Sequence, residues 1–402
     1  LYSVAFSGAG KAKVVSETDT HTRSRAALSL MAANVWRVSN VMVNRYLGRP
    51  PRYLPVILLF VTDRCNLRCR MCGVCEREST QDTAGELTTD QYKAVITSAA
   101  TRLGTSLASI SGGEPLLRAD IFEIIRFAVD AGISTHICTN GLLLNRERAE
   151  RLRDAGIAAV SVSVDSPDAS IHEYLRGSGT FQGAVDAIQL LRDTAPDIQV
   201  GINYLITRLN YRNMTDMVAY AERLGVQQIK FAPVHAHLLH RLKAKSELDE
   251  LYFAPEDLAD LQREIDRLKE RCRTTWLSTT SATFHDGIVP FYAQPRKFKC
   301  YAGYMVCAIG PAGQVAPCCD MDSPFSVQDR PLDVIWRDPA FHELRRRVDR
   351  CDVPCWDTTN TELSLRLQPR TLLRNLAANW RDLRFYSGTR GTRANKRENT
   401  HE

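Results

Sequence analysis

The chain has 402 residues, 44% apolar and 24% charged, with 22 Gly and 17 Pro. This ordinary globular composition excludes a collagen, a coiled coil and a largely disordered chain. A net charge of +6 is too small to point to nucleic acid, and 12 Cys in so long a chain are too sparse for a disulfide scaffold. Clustered cysteines instead suggest metal chemistry in a reducing compartment, read here as the cytoplasm.

Residues 1–24 are polar and rich in Gly, Ser and Thr. Leu28, Met31, Val35, Val38, Met42 and Tyr46 then recur every three or four residues, the signature of one apolar helix face. Gly48 and Pro50–Pro51 end that helix. It reads as a helix packed on the main domain, and its flanking Arg25, Arg37 and Arg45 also allow a peripheral membrane contact. No segment spans a membrane: the uncharged stretch Ala26 to Trp36 stops at Arg37, short of the roughly 18 apolar residues required. The first residues do not follow the order of a signal peptide.

From residue 53 strands and helices alternate. Pro55–Val61 is a continuous apolar run typical of a buried parallel strand, and Thr88 or Thr89 can cap a helix through about Leu103. Further strands are predicted at Leu107–Ser111, Ile133–Cys138, Ala158–Val164, Ile198–Ile206 and Gln228–Val234. Between them fall helices near Asp120–Ala131, Asn145–Ala155, Phe181–Asp193 and Asn213–Leu224. Six such repeats imply an α/β fold with a parallel sheet that curls into a partial (β/α)6 barrel, with chemistry at the C-terminal strand ends. The expected division is 1–50 as an N-terminal extension, 51–240 as the barrel and 241–295 as a helical connector. A Cys-rich domain follows at 296–360, and 361–402 is an amphipathic helix with a basic end, nine Lys/Arg against four Asp/Glu.

The first strand leads into Cys65-Asn-Leu-Arg-Cys69-Arg-Met-Cys72. Three thiolates on one short loop leave the fourth corner of a tetrahedral site open. An iron–sulfur cluster so held exposes one iron; zinc with Cys75 as fourth ligand is the competing reading. After the second strand comes Ser111-Gly112-Gly113-Glu114-Pro115, where glycines permit close backbone approach and a carboxylate can accept from an ammonium. Period-two alternation puts Ser161, Ser163 and Asp165 on one face of the fourth strand.

Together these motifs resemble the radical S-adenosylmethionine (radical SAM) superfamily over residues 53 to about 235. The resemblance implies a TIM-like partial barrel in which Cys65, Cys69 and Cys72 hold a [4Fe-4S] cluster whose open iron binds S-adenosylmethionine. Met71 would pack near adenine, and Gly112, Gly113, Glu114 and Pro115 would meet the methionine group. Asn140, in the turn after the third strand, would face the nucleoside, and Ser163 and Asp165 would contact the ribose or methionine part. Arg176, in His172-Glu-Tyr-Leu-Arg176-Gly177, could pair with the methionine carboxylate through its guanidinium fork.

Downstream, Cys300-x12-Gly313-x4-Cys318 and Cys351-x3-Cys355 resemble the SPASM/Twitch extension of radical SAM enzymes. Gly313 would turn a hairpin, and the four cysteines suffice for one auxiliary [4Fe-4S] cluster, closer to the Twitch form than to a two-cluster SPASM domain. A zinc knuckle competes. Cys307 and Cys319 read as structural thiols, with hydrogen donation to a substrate radical, or ligation by Cys307, as the other possibilities. Cys138 and Cys272 read as plain buried residues, and His235 and His237 as structural.

The implied reaction is reductive cleavage of S-adenosylmethionine to a 5′-deoxyadenosyl radical that abstracts hydrogen from a biosynthetic substrate. The electron donor would be a protein such as a flavodoxin or ferredoxin. Peptide-modifying members of the family this chain resembles often carry an N-terminal peptide-binding domain of about 80 residues; about 50 precede the first strand here, so the resemblance tilts the expectation toward oxidation of a small-molecule, sugar or lipid-linked substrate over a peptide. The alternatives are a ribosomal-peptide maturase, a radical epimerase and, in another class, a non-enzymatic iron–sulfur electron carrier.

Overall fold

The structure is a computed structural model in which residues 35–74, 85–234, 249–293, 298–351 and 355–387 are described. The strands are β1 (Val56–Phe60), β2 (Leu107–Ser111), β3 (Ser134–Thr139), β4 (Ala159–Ser163), β5 (Gln199–Ile206), β6 (Gln228–Pro233), β7 (Ser278–Thr279), β8 (Val306–Ile309) and β9 (Val315–Ala316). They form one sheet in the order β7-β6-β5-β4-β3-β2-β1-β8-β9, parallel throughout except for the β8–β9 pair. The six predicted strands are all present, and the sheet is extended at both edges.

Helix α1 covers 35–46 of the described residues. Around the outside of the barrel run α2 (Thr89–Arg102), α3 (Ile121–Asp130), α4 (Arg146–Ala155), α6 (Thr180–Thr194), α7 (Met214–Leu224) and α8 (Leu258–Thr274), each against the next. A short α5 (Ala169–Arg176) precedes α6. Local signals set these boundaries. Thr88 and Gln91 close a capping box on α2, Asn145 caps α4, and Gly156 ends α4 with a left-handed φ of 84°. The 241–295 segment supplies more than a connector: α8 packs on α7, and β7 continues the sheet beside β6.

Strand alternation sorts the side chains. Ile57 and Leu59 of β1 join the large core beneath the outer helices, while Val56, Leu58 and Phe60 face inward with Tyr304, Met305 and Val306. Farther round, the inner wall is polar. His136 of β3 bridges Ser109 Oγ of β2 (3.1 Å) and Ser161 Oγ of β4 (2.8 Å). Burial holds His136 neutral by lowering its pKa to about 4.

The C-terminal region forms α9 (Ala282–Asp286), α10 (Ile288–Ala293), α11 (Leu332–Arg337), α12 (Pro339–Asp349), α13 (Asn360–Arg366), α14 (Pro369–Leu372) and α15 (Leu376–Ser387). Helix α15 closes the floor of the barrel at the N-terminal strand ends. Its Asp382 accepts from Gln228 Nε2 (3.0 Å) at the start of β6 and pairs with Lys230 Nζ (2.8 Å). Its Phe385 lies against Gly201 of β5, where an added Cβ would come within 2.9 Å of the ring.

Candidate active site

The site is assembled where the strands end. As β1 runs out, the Gly112–Glu114 turn follows it as an extra piece of pairing. Gly113 N donates to Thr62 O (2.6 Å) and Glu114 N to Arg64 O (2.7 Å). The glycines are required by this approach. A Cβ on Gly112, whose φ is +146°, would sit 2.3 Å from Thr62 O, and one on Gly113 would sit 2.1 Å from Arg64 O. Arg118 braces the same exit, donating to Val61 O and Leu87 O (3.0 Å each) and pairing with Asp120 and Glu86. Pro115 opens a one-turn 3-10 helix (Pro115–Leu117) that Glu114 caps.

The cysteine loop then folds against α5. Arg70 N donates to Leu175 O (2.9 Å) and Arg70 Nε to Tyr174 O (2.9 Å), with the guanidinium 4.0 Å from the Tyr174 ring centre. Cys69 is buried with its Sγ 4.0 Å from Arg176 O, and Cys65 and Cys72 are half-buried. Met71 is buried in an apolar cluster with Leu175, Val234 and Leu251, so it anchors the loop. On the other side Asn140 Nδ2 donates to Asn66 Oδ1 (2.8 Å), tying the β3 exit to the cysteine loop.

Glu114 is buried, and both its oxygens are engaged within the strand-end layer. Oε1 accepts from Leu116 N (3.1 Å) and Thr139 Oγ1 (2.8 Å), and Oε2 accepts from Asn140 N (2.8 Å). Burial raises its pKa, and these donors oppose the rise. Asp165 is likewise engaged: Oδ2 meets Arg176 Nε at 2.6 Å and Oδ1 accepts from Leu205 N (2.9 Å). Glu114 and Asp165 therefore shape the pocket and orient their neighbours. Burial disfavours the Arg176 charge, but Asp165 and the thiols of Cys69 and Cys72 outweigh it and raise the pKa. Arg176 is thus a fixed cation beside the cysteine loop. Ser163 lies half-buried on the same inner face, in register with Asn203.

The second set of cysteines comes from three loops: Cys300 before β8, Cys318 after β9 and Cys355 before α13. Cys300 Sγ accepts from Ala302 N (3.4 Å), Cys318 Sγ accepts from Asp320 N (3.4 Å), and Cys355 Sγ lies 4.0 Å from Thr361 Oγ1. All three pKa values are pushed up by burial, Cys300 to about 11, and the charges of Cys300 and Cys355 bear on Cys318. Cys351 stands apart, exposed at the end of α12. Gly313 turns the β8–β9 hairpin with φ +86°. Cys307 lies within β8, its Sγ 3.4 Å from Ala316 O and its pKa raised to about 12 by burial, as suits a structural thiol. Cys138 faces the barrel interior and accepts from Asn203 Nδ2 (3.4 Å). Cys75, His235 and His237 lie outside the described residues.

These donors fit iron–sulfur clusters. Thiolates are the ligands such clusters take, and the charges that Cys300 and Cys355 would place beside Cys318 would be relieved by a cationic iron core. Sequence reasoning found these thiols but not Asn66 or the Arg118 brace. Nor did it find that Asp165 and Arg176 form one unit, because α5 went unrecognised between them. Its only signal was Asp168, whose side chain caps α5 by accepting from Ser170 N (2.8 Å).

Residues 59–223 match the Radical SAM superfamily, and residues 300–357 match SPASM, an iron–sulfur cluster-binding domain. The AdoMet-dependent heme synthase of Methanosarcina barkeri is 30% identical over 301 residues, covering 71% of this chain and 83% of that protein. The PqqA peptide cyclase of Rhodopseudomonas palustris is 28% identical over 309 residues, covering 74% and 78%. Among solved structures, Streptococcus suis SuiB bound to S-adenosylmethionine shares the fold with a TM-score of 0.60 at 17% identity, covering 83% of this chain and 75% of that one. Strand-end glycines, a three-thiol loop and a second buried thiol set thus coincide with both matched regions, and the chain belongs to the radical SAM superfamily, with a C-terminal SPASM domain.

Proposed function

We propose that this enzyme carries out a net oxidative modification of a compact biosynthetic substrate held in the barrel chamber. Cys65, Cys69 and Cys72 would hold the first [4Fe-4S] cluster, and Cys300, Cys318, Cys351 and Cys355 the auxiliary one. When bound, these clusters and S-adenosylmethionine supply a one-electron reductive cleavage, a hydrogen-abstracting adenosyl radical and an electron acceptor.

The chain's own residues bind and position. Arg176, held by Asp165 at 2.6 Å, offers its remaining guanidinium donors to the methionine carboxylate. The Gly112–Gly113 turn lets backbone approach the ligand without a side chain between them. Asn140 and Asn66 fix the distance between the β3 exit and the cysteine loop. Ser109, His136, Ser161 and Asn203 give the chamber neutral hydrogen-bonding walls, and α15 seals its floor against water.

The observation that carries this reading is α15, whose Phe385 and Asp382 cover the N-terminal strand ends at Gly201 and Lys230, so that a substrate would enter from the C-terminal strand ends where the cysteine loop lies. The heme synthases among the relatives support a small-molecule substrate. A peptide substrate is the second reading, supported by the PqqA peptide cyclases and a mycofactocin maturase among the relatives. The test is anaerobic incubation of reduced, cluster-loaded protein with S-adenosylmethionine and separate panels of tetrapyrroles, other small metabolites and peptides. 5′-Deoxyadenosine formation stimulated by a small molecule supports the proposal. Stimulation by a peptide alone replaces it with the second reading, and no 5′-deoxyadenosine under any condition leaves an electron carrier.

A further inference from the structure

Thirteen large apolar side chains are markedly exposed among the described residues, and ten of them lie on or beside the helices at the N-terminal ends of the strands, opposite the Cys65–Cys72 loop. Five lie on segment 35–47, where Trp36, Val43, Tyr46 and Leu47 are each more than half exposed. Four more, Leu373, Leu376, Trp380 and Leu383, follow a spacing of three, four and three, which makes one stripe along α15 and the turn before it. The tenth, Trp276, is beside α15, because Arg381 donates to the next residue's carbonyl, Leu277 O (3.2 Å).

Both helices are fixed at this end. Arg45 of α1 donates to Cys300 O (2.7 Å) in the loop leading into β8, and Arg37 lies beside Gly104 in the loop leading into β2. Val38, Val41 and Met42 bury the other side of α1 with Leu363 and Leu367 of the α13 region. Helix α15 turns Phe385 and Asp382 into the barrel. The exposed stripes are what these two helices leave outside.

Charge selects the occupant. Segment 35–52 carries four arginines and no acidic residue; Arg45 is turned inward onto Asp349, leaving Arg37, Arg49 and Arg52. Segment 369–387 carries four arginines and one acid, Asp382, whose carboxylate is turned inward onto Lys230 and Arg366. The next ten residues, 388–397, add three Arg and one Lys with no acid, in a chain whose whole excess is six. Arg49, Arg370, Arg374 and Arg384 are exposed along the rims. Self-association through this face would set like-charged rims against each other. Trp and Tyr with Leu, edged by Arg, match the headgroup boundary of an anionic bilayer.

We propose that the α1–α15 end of the barrel docks on an anionic lipid surface, leaving the Cys65–Cys72 loop at the strand ends facing away from it. The test uses the full, cluster-loaded chain in vesicle sedimentation with pure phosphatidylcholine and with phosphatidylcholine containing 30% phosphatidylglycerol. Binding at least tenfold tighter to the anionic vesicles, weakened by salt, is expected. Arg370→Gln/Arg374→Gln/Arg384→Gln should weaken it about fivefold per arginine removed. Trp380→Glu should abolish it while still folding, checked by a cooperative melting curve, since more than half of that side chain is exposed. No pelleting with either vesicle, or equal pelleting of the arginine variant, overturns the proposal. So does a dimer in light scattering that Trp380→Glu dissociates while wild-type protein ignores vesicles.

Discussion

Replacing Asp382 by Asn tests the floor of the barrel. The Asp382 carboxylate meets Lys230 Nζ at 2.8 Å and Arg366 Nη1 at 2.6 Å, and it also accepts from Gln228 and Ser278. Burial alone would raise its pKa; the two cations and the hydrogen bonds reverse this and lower it. Asn keeps the volume and removes the charge. Breaking a buried pair by removing one partner costs roughly 3–5 kcal/mol, because the other charge is stranded. Arg366 retains Glu362, so the cost falls mainly on Lys230 and should lie near the lower bound, about 3 kcal/mol. In a chain this long that is a fall of about 4 °C in Tm. Lys230→Met alone should also destabilise, whereas the double variant should recover much of the loss, giving a coupling of about 1.5 kcal/mol or more. Urea denaturation of the four proteins in the cycle measures it. Iron content should be unchanged, since neither residue approaches a thiol set. Additive effects, with coupling under about 0.5 kcal/mol, would refute α15 as a floor locked by charge.

Arg176→Lys keeps the charge but loses the fork, so S-adenosylmethionine should bind about 10- to 100-fold more weakly in anaerobic calorimetry while first-cluster iron stays constant. An unchanged Kd would remove Arg176 from the binding site. Cys355→Ala should lower iron and sulfide from about eight to about four per chain, with the first cluster's spectrum intact; retention of all eight would dissociate Cys355 from the auxiliary set. Stability should fall with acid. His136 and His172 titrate near 4 in the folded protein, and His285 near 3, each lowered chiefly by burial from an ordinary 6.5. Between pH 6.5 and about 4 the unfolded chain therefore takes up protons that the folded chain refuses, and each such His costs up to about 1.4 kcal/mol per pH unit. Their contribution is complete above 6.5. Urea midpoints at pH 7 and pH 5 check this, and His136→Gln should flatten the dependence.

Much of the architecture was legible because parallel strands and amphipathic helices differ in period. The apolar run at β1 is buried on both faces, Ile57 and Leu59 toward the helices and Leu58 inward, and Ser161 and Ser163 share one face as alternation required. The cysteine loop and the Gly-Gly turn were legible because steric demand fixes residue type: no side chain fits 2.1 Å from Arg64 O. What stayed hidden depends on partners far apart in sequence. Asp382 and Lys230 are 152 residues apart, and nothing local to either marks the other. Strand β8 joins the sheet beside β1 although about 245 residues separate them, and β7 has two residues, too few for a periodic signal. The Cys351–Cys355 pair read as a unit from its spacing, yet α12 ends at Asp349 and leaves Cys351 exposed while Cys355 is drawn inward against α13.

The most direct measurement is electron paramagnetic resonance of the reduced Cys300→Ala/Cys318→Ala protein, which keeps the Cys65, Cys69 and Cys72 cluster alone. Adding S-adenosylmethionine should change that cluster's spectrum, because three thiols on this loop would leave one iron without a protein ligand and open to S-adenosylmethionine. An identical spectrum with and without S-adenosylmethionine, from protein shown to hold four irons, would contradict an open iron at this loop.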